Sequence, residues 1–165
     1  MKNKLFLIVM MMFIAFAAFA EESEKDKSTG LTNADLKNFI KNYKTIIKDM
    51  ESYNDFISTA GTAAALAALA ENNAEKKVTA ILNKNGISGS NALEKWMRLH
   101  YYTTIAAYDR TMEKTIAENP ALAAYIASAS VDPYAETRKN LDTSDFTVIK
   151  TNIDEIMKAM DLGQS

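Results

Sequence analysis

From Leu36 onward, apolar side chains return every three or four residues: Leu36, Phe39, Ile40, Tyr43, Ile46, Ile47, Met50, Tyr53 and Ile57. A strand would place such residues on alternate faces, whereas a helix gathers them into one stripe. The spacing predicts a helix over Leu31–Ile57 that buries this stripe and supplies the largest share of a core. Its start is marked as well. Thr32 is an N-cap residue with Asp35 three positions on, and Leu31 and Leu36 occupy the two positions of a hydrophobic staple.

The rest of the chain repeats the pattern. An Ala-rich stretch (TAAALAALA, 62–70) has high helix propensity, with Asn72-Asn73 as an interruption. Val78, Ile81 and Leu82 lead to Gly86-Ile87, which fits the glycine and apolar positions of a Schellman stop. Ser88 or Ser90 is placed to cap a helix striped by Leu93, Trp96, Met97, His100, Thr104, Tyr108, Met112 and Ile116. Asn119-Pro120 and Asp132-Pro133 each read as a cap followed by proline in the first turn. Thr143 or Ser144 opens a last helix with Phe146, Ile149, Ile153, Ile156, Met157 and Met160 inward, closed by Gly163. No stretch alternates with period two. The expected fold is all-α, a compact bundle of five to six helices with no sheet and short links between antiparallel neighbours.

Residues 1–20 do not belong to that domain. Lys2 and Lys4 precede an uninterrupted apolar run from Leu5 to Phe16, and Ala18 and Ala20 supply small residues before Glu21. This order is that of a secretory signal peptide, cleaved after Ala20. Residues 21–30 (EESEKDKSTG) are charged and lack a large apolar group, and so read as a disordered tail. The single helical domain is then 31–165. The longest later uncharged run, Phe56 to Ala70, is 15 residues, too short to span a bilayer that needs about 20. The expected product is periplasmic or secreted, with no transmembrane anchor after cleavage.

Residues 21–165 carry 17 basic and 21 acidic side chains, a net charge of −4, which disfavours nucleic acid as a partner. The absence of Cys excludes disulfides, thiolate metal sites and thiol nucleophiles. One His excludes multi-histidine metal sites, and five Gly offer no phosphate-binding loop. No cofactor, metal site or catalytic residue is expected, and the chain reads as a non-enzyme. The one candidate for chemistry is His100, as a base for a hydrolase with some carboxylate. Asp109, nine residues on, lies on a different helix face. Trp96, four residues before His100, makes a packed position the better reading. Trp96, His100, Tyr101 and Tyr108 together form a candidate apolar pocket or interface, which would suit a carrier of a small apolar ligand or lipid.

Lys37, Lys41, Lys44 and Lys48 form a second row on the first helix, at the same helical spacing as the core stripe. Such a row can meet an acidic partner or anionic lipid, but Asp35, Asp49, Glu51 and Asp55 on the same stretch dilute its field, and a solvated surface is the better reading. The Ala-rich helix, apolar all round, is expected to sit at the centre of the bundle, with a dimer seam or a lid over an apolar cavity as alternatives.

The runs LTNADLKNFIKNYKTI (31–46) and NALEKWMRLHYYT (91–103) resemble small exported helical proteins of Gram-negative and spirochaete-type bacteria that carry no assigned activity. Thr32, Asp35, Phe39, Ile40, Glu94 and Trp96 carry the resemblance. It implies a periplasmic helical domain and transfers no catalytic or binding residue. The expected function is binding to another envelope protein through a helix face.

Overall fold

The computed structural model describes residues 27–53, 62–121 and 132–162. The expected signal peptide and most of the expected tail fall outside these residues. Among the described residues the fold is all-α, without strands. Its helices are α1 (Asn33–Asp49), α2 (Thr62–Glu71), α3 (Glu75–Lys84), α4 (Ala92–Glu118), α5 (Ala135–Asn140), α6 (Thr143–Thr151) and α7 (Ile153–Ala159). None is long and apolar enough to cross a membrane.

The first helix starts where its sequence places it. The Asp35 amide donates to Thr32 Oγ1 at 3.1 Å, and the Thr32 amide donates back to Asp35 Oδ2 at 3.0 Å. Both arms of the capping box are thus closed with Asp in place of the usual Glu. Leu36, Phe39, Ile46 and Met50 are fully buried. The helix does not continue to Ile57. It ends at Asp49, and a short 3-10 turn follows over Glu51–Tyr53. Serine, as at Ser52 in this turn, offers the backbone competing hydrogen bonds and is a poor helix former. Ile57 lies outside the described residues.

Three helices stop in the same way. At the end of α3, Ile87 N–H donates to the Leu82 carbonyl and Gly86 N–H to that of Asn83, both at 3.0 Å, with Gly86 at φ +85°. This is the expected Schellman motif, and Ile87 is fully buried. Asn73 (φ +53°) plays the glycine part after α2, and Asp161 (φ +55°) after α7. Asp161, rather than Gly163, therefore ends the last helix. Gly163 itself lies outside the described residues.

The centre of the bundle is α4, and neither the Ala-rich helix nor α1 takes that place. Buried residues occur all around α4, from Leu93, Trp96 and Leu99 to Tyr102, Ile105 and Ala106. It packs against α2, α3, α6 and α7. Phe39 of α1 meets it at Trp96, with ring centroids 5.4 Å apart. In α2, Leu69 is buried but Ala67 and Ala70 face solvent, so the last turn of that helix is peripheral. Alanine's small side chain buries little area, and the larger residues of α4 claim the interior.

Other helix boundaries differ from expectation because side chains found other partners. Asn91 precedes α4 in place of Ser88 or Ser90, and its amide is turned to the Thr29 carbonyl at 2.6 Å. Asp142 caps α6 by accepting from the Asp145 amide, where Thr143 or Ser144 was expected. The expected single last helix is two, because Asn152 ends α6 and starts α7 with its side chain on the Val148 carbonyl. Asp132 accepts from the Tyr134 amide at 2.9 Å, so α5 opens at Ala135. The helix expected after Pro120 lies largely outside the described residues.

The expectation of a free tail does not extend to residues 28–30. Ser28 Oγ, Thr29 N–H, Thr29 Oγ1 and Leu31 N–H all donate to the Asp145 carboxylate, at 2.8–3.2 Å. Asp145 is 1 % exposed and Thr29 5 %. Arg98 donates to the Lys27 carbonyl. The chain entering α1 is thus a strap laid over α4 and α6.

Candidate functional site

The lysine row survives folding as a continuous feature. Lys37, Lys41, Lys44 and Lys48 are all exposed. At about 100° per residue, they fall within an arc of roughly 60° centred opposite Leu36, Phe39, Ile46 and Met50. Among the described residues, only Lys44 has an ion-pair partner, Asp161 at 3.0 Å, and both side chains are well exposed. Such a pair is worth little.

The backbone beneath the row is held from both sides. Asn38 and Asn42, one turn apart, donate to the carbonyls of Gly86 (3.0 Å) and Asn85 (2.9 Å) in the turn that ends α3. On the opposite flank α1 packs against α7. Two acids of α1 are drawn away from the row. Asp35 pairs with Lys95 at 3.0 Å, where both are nearly buried, and Asp49 reaches Lys84 at 3.5 Å. Burial pushes the Asp35 carboxyl up. The hydrogen bonds from Thr32 and Lys95 outweigh that and leave it below the ordinary carboxylate range. Lys95 also donates to the Ser88 carbonyl.

The aromatic candidates do not form one pocket. The Trp96 and His100 rings meet at a tilt of 56° with centroids 4.4 Å apart, and Phe39 and Tyr43 of α1 close on them at 5.4–6.2 Å. These rings fill the seam between α1 and α4. Tyr101 and Tyr108 point elsewhere. Tyr101 donates to Thr137 Oγ1 at 3.3 Å, and Tyr108 meets Tyr134 edge-on at 5.4 Å, so both belong to the α4–α5 contact. Residues 96, 100, 101 and 108 cannot share a helix face. The turn from 100 to 101 alone is about 100°.

His100 is poorly placed for catalysis. Part of the residue reaches solvent, but its Nε2 is sealed and without a hydrogen-bond partner. Since the charge would sit on the ring, burial controls its titration and lowers its pKa to about 4. Such an imidazole is neutral at pH 7 and a weak base. Trp96 Nε1, Thr103 Oγ1 and Tyr134 OH are likewise buried without partners.

A cleft of about 330 Å³ opens where α6 meets α7. It is lined by Ala106, Arg110, Glu113 and residues 150–155. Arg110 is taken up there by a two-pronged bond to Asp154, at 2.9 and 2.7 Å. Sequence reasoning missed this cleft, the Arg138 link to Asp109 and Asp132, and the two asparagine clamps. Each involves residues at least 29 positions apart, except the Arg138–Asp132 bond, which spans six. Only Asp35 carried a local signal, as a cap.

The chain matches no protein-family model, no curated protein and no solved structure.

Proposed function

We propose that this is an exported, non-enzymatic helical protein that binds another protein of the cell envelope through the outer face of α1. The observation that supports the reading is the lysine row, exposed along α1 on the side opposite the core. An exposed charge row steers association and selects partners by sign more than it stabilises the fold. The sealed Nε2 of His100 favours a binding role over hydrolysis. The packed rings around Trp96 favour it over carriage of an apolar ligand.

The test is affinity purification of the exported chain from its native envelope, beside a Lys37→Glu/Lys41→Glu/Lys48→Glu variant. The first residue of the purified chain is sequenced in the same experiment. The reading expects an N-terminus at Glu21 and a co-purifying protein that the variant loses. A retained Met1, or a partner set the variant does not change, would overturn it. A co-purifying lipid without protein would transfer the case to the carrier.

A further inference from the structure

We propose that the α1 lysine row is a docking strip for a single acidic polypeptide segment whose carboxylates repeat with helical spacing. The inference rests on the partner-binding reading above and identifies the chemistry of the partner.

The linear sequence argues against a strongly basic strip, because Asp35 and Asp49 share the helix with the lysines. The helix turns both acids off the strip. At about 100° per residue, Asp35 and Asp49 stand 80° or more from the nearest lysine. Asp35 is also neutralised by Lys95 of α4 in a nearly buried pair, whereas Asp49 only reaches the exposed Lys84 of α3 at 3.5 Å. Glu51 is exposed only beyond the end of the helix, in the 3-10 turn. Among the described residues the strip thus presents three lysines without an ion-pair partner, Lys37, Lys41 and Lys48, while Lys44 is met by the exposed Asp161.

Its shape selects the occupant. Four cations at i, i+4, i+7 and i+11 span about 16 Å along the helix, at 1.5 Å per residue, and the strip is one side chain wide. That matches one edge of a partner helix with carboxylates at the same four positions. A membrane surface would contact a broad field of cations, and an interfacial helix would also turn its apolar face to the lipid. Here that face is committed to the core through Phe39 and Ile46. The Asn38 and Asn42 clamps hold the strip's backbone against α3, so a partner meets a fixed spacing. Partners with mismatched spacing would leave charges unpaired.

The experiment titrates the purified exported chain with two labelled helical peptides of identical composition. One carries Glu at i, i+4, i+7 and i+11, and the other carries the same Glu residues distributed around the helix. Phosphatidylglycerol vesicles form a third arm. The expected result is that the patterned peptide binds about tenfold tighter or better than the permuted one, with affinity falling as salt rises. Lys37→Gln/Lys41→Gln/Lys48→Gln should abolish that preference. Lys76→Gln/Lys77→Gln, at exposed positions on α3, should leave it unchanged. All these positions are exposed, and unchanged thermal melting checks that the variants fold.

Equal binding of both peptides would overturn the inference, as would equal loss in the α3 variant or vesicle binding through the same three lysines. If the envelope partner is still lost by the α1 variant while the patterned peptide is not preferred, partner binding stands and the acidic segment falls. If the partner is unaffected, the broader reading falls first.

Discussion

A single carboxylate oxygen of Asp35 joins the start of α1 to the middle of the bundle: Oδ2 closes the cap with Thr32 and accepts from Lys95 Nζ at 3.0 Å. Asp35 and Lys95 are 5 % and 9 % exposed. The pair sets the register between α1 and α4, the helix that carries the lysine row and the helix that fills the core. Breaking a buried pair from one side strands the other charge.

Lys95→Met should therefore destabilise the fold by about 3–5 kcal/mol, read by urea unfolding. Lys41→Ala, on the exposed strip, should change it by less than about 0.5 kcal/mol. Similar losses at the two positions would mean that the inward and outward faces are misassigned.

Asp145→Ala should release the strap. The carboxylate accepts four hydrogen bonds from residues 28–31, and its loss leaves the Thr29 and Leu31 amides without that acceptor. The expected cost is about 2–6 kcal/mol, at roughly 1–3 for each of the two stranded donors. Faster tryptic cleavage after Lys27 should accompany it. Unchanged protease resistance in the variant would show that the strap is held by other means.

His100 should make the protein acid-sensitive. Its folded pKa lies near 4 against an ordinary 6.5, so between those values the unfolded chain binds a proton that the native state refuses. Stability is therefore full above about pH 6.5 and falls as pH drops towards 4, by about 2–3 kcal/mol. Below that, protonation of the lowered Asp35 carboxyl removes its ion pair and adds a further loss. His100→Phe should flatten the slope between pH 6.5 and 4 and cost little at pH 7, because Nε2 has no partner to lose. Urea midpoints at several pH values measure both, and an unchanged slope in the variant would exclude His100 as the source.

Gly86→Ala should cost more than Gly30→Ala. Both glycines have positive φ, but a Cβ on Gly86 would stand 2.6 Å from Asn38 Nδ2, whereas Gly30 has open space. Gly30→Ala then carries only backbone strain of about 1 kcal/mol. Gly86→Ala adds displacement of the Asn38 clamp, for a total of about 2–3 kcal/mol. Equal thermal shifts would indicate that the clamp contributes nothing.

Features set by neighbours in the chain were legible in the sequence. The all-α class follows from the 3/4 spacing, the start of α1 from Thr32 and Asp35, and the end of α3 from Gly86-Ile87, because caps and stops are made by residues within one turn. The outward position of the lysine row follows from the same periodicity. Tertiary structure decided which helix became central, since Ala-rich α2 and the larger side chains of α4 both read as buried until they compete for one interior. It also separated Trp96 and His100 from Tyr101 and Tyr108, and gave Asp145 to the strap. It paired Asp35 with Lys95, which takes that acid away from the strip, and brought Asp161 onto Lys44. A buried or half-buried charge takes whichever opposite group the packing brings within reach, and that group can lie 60 residues away.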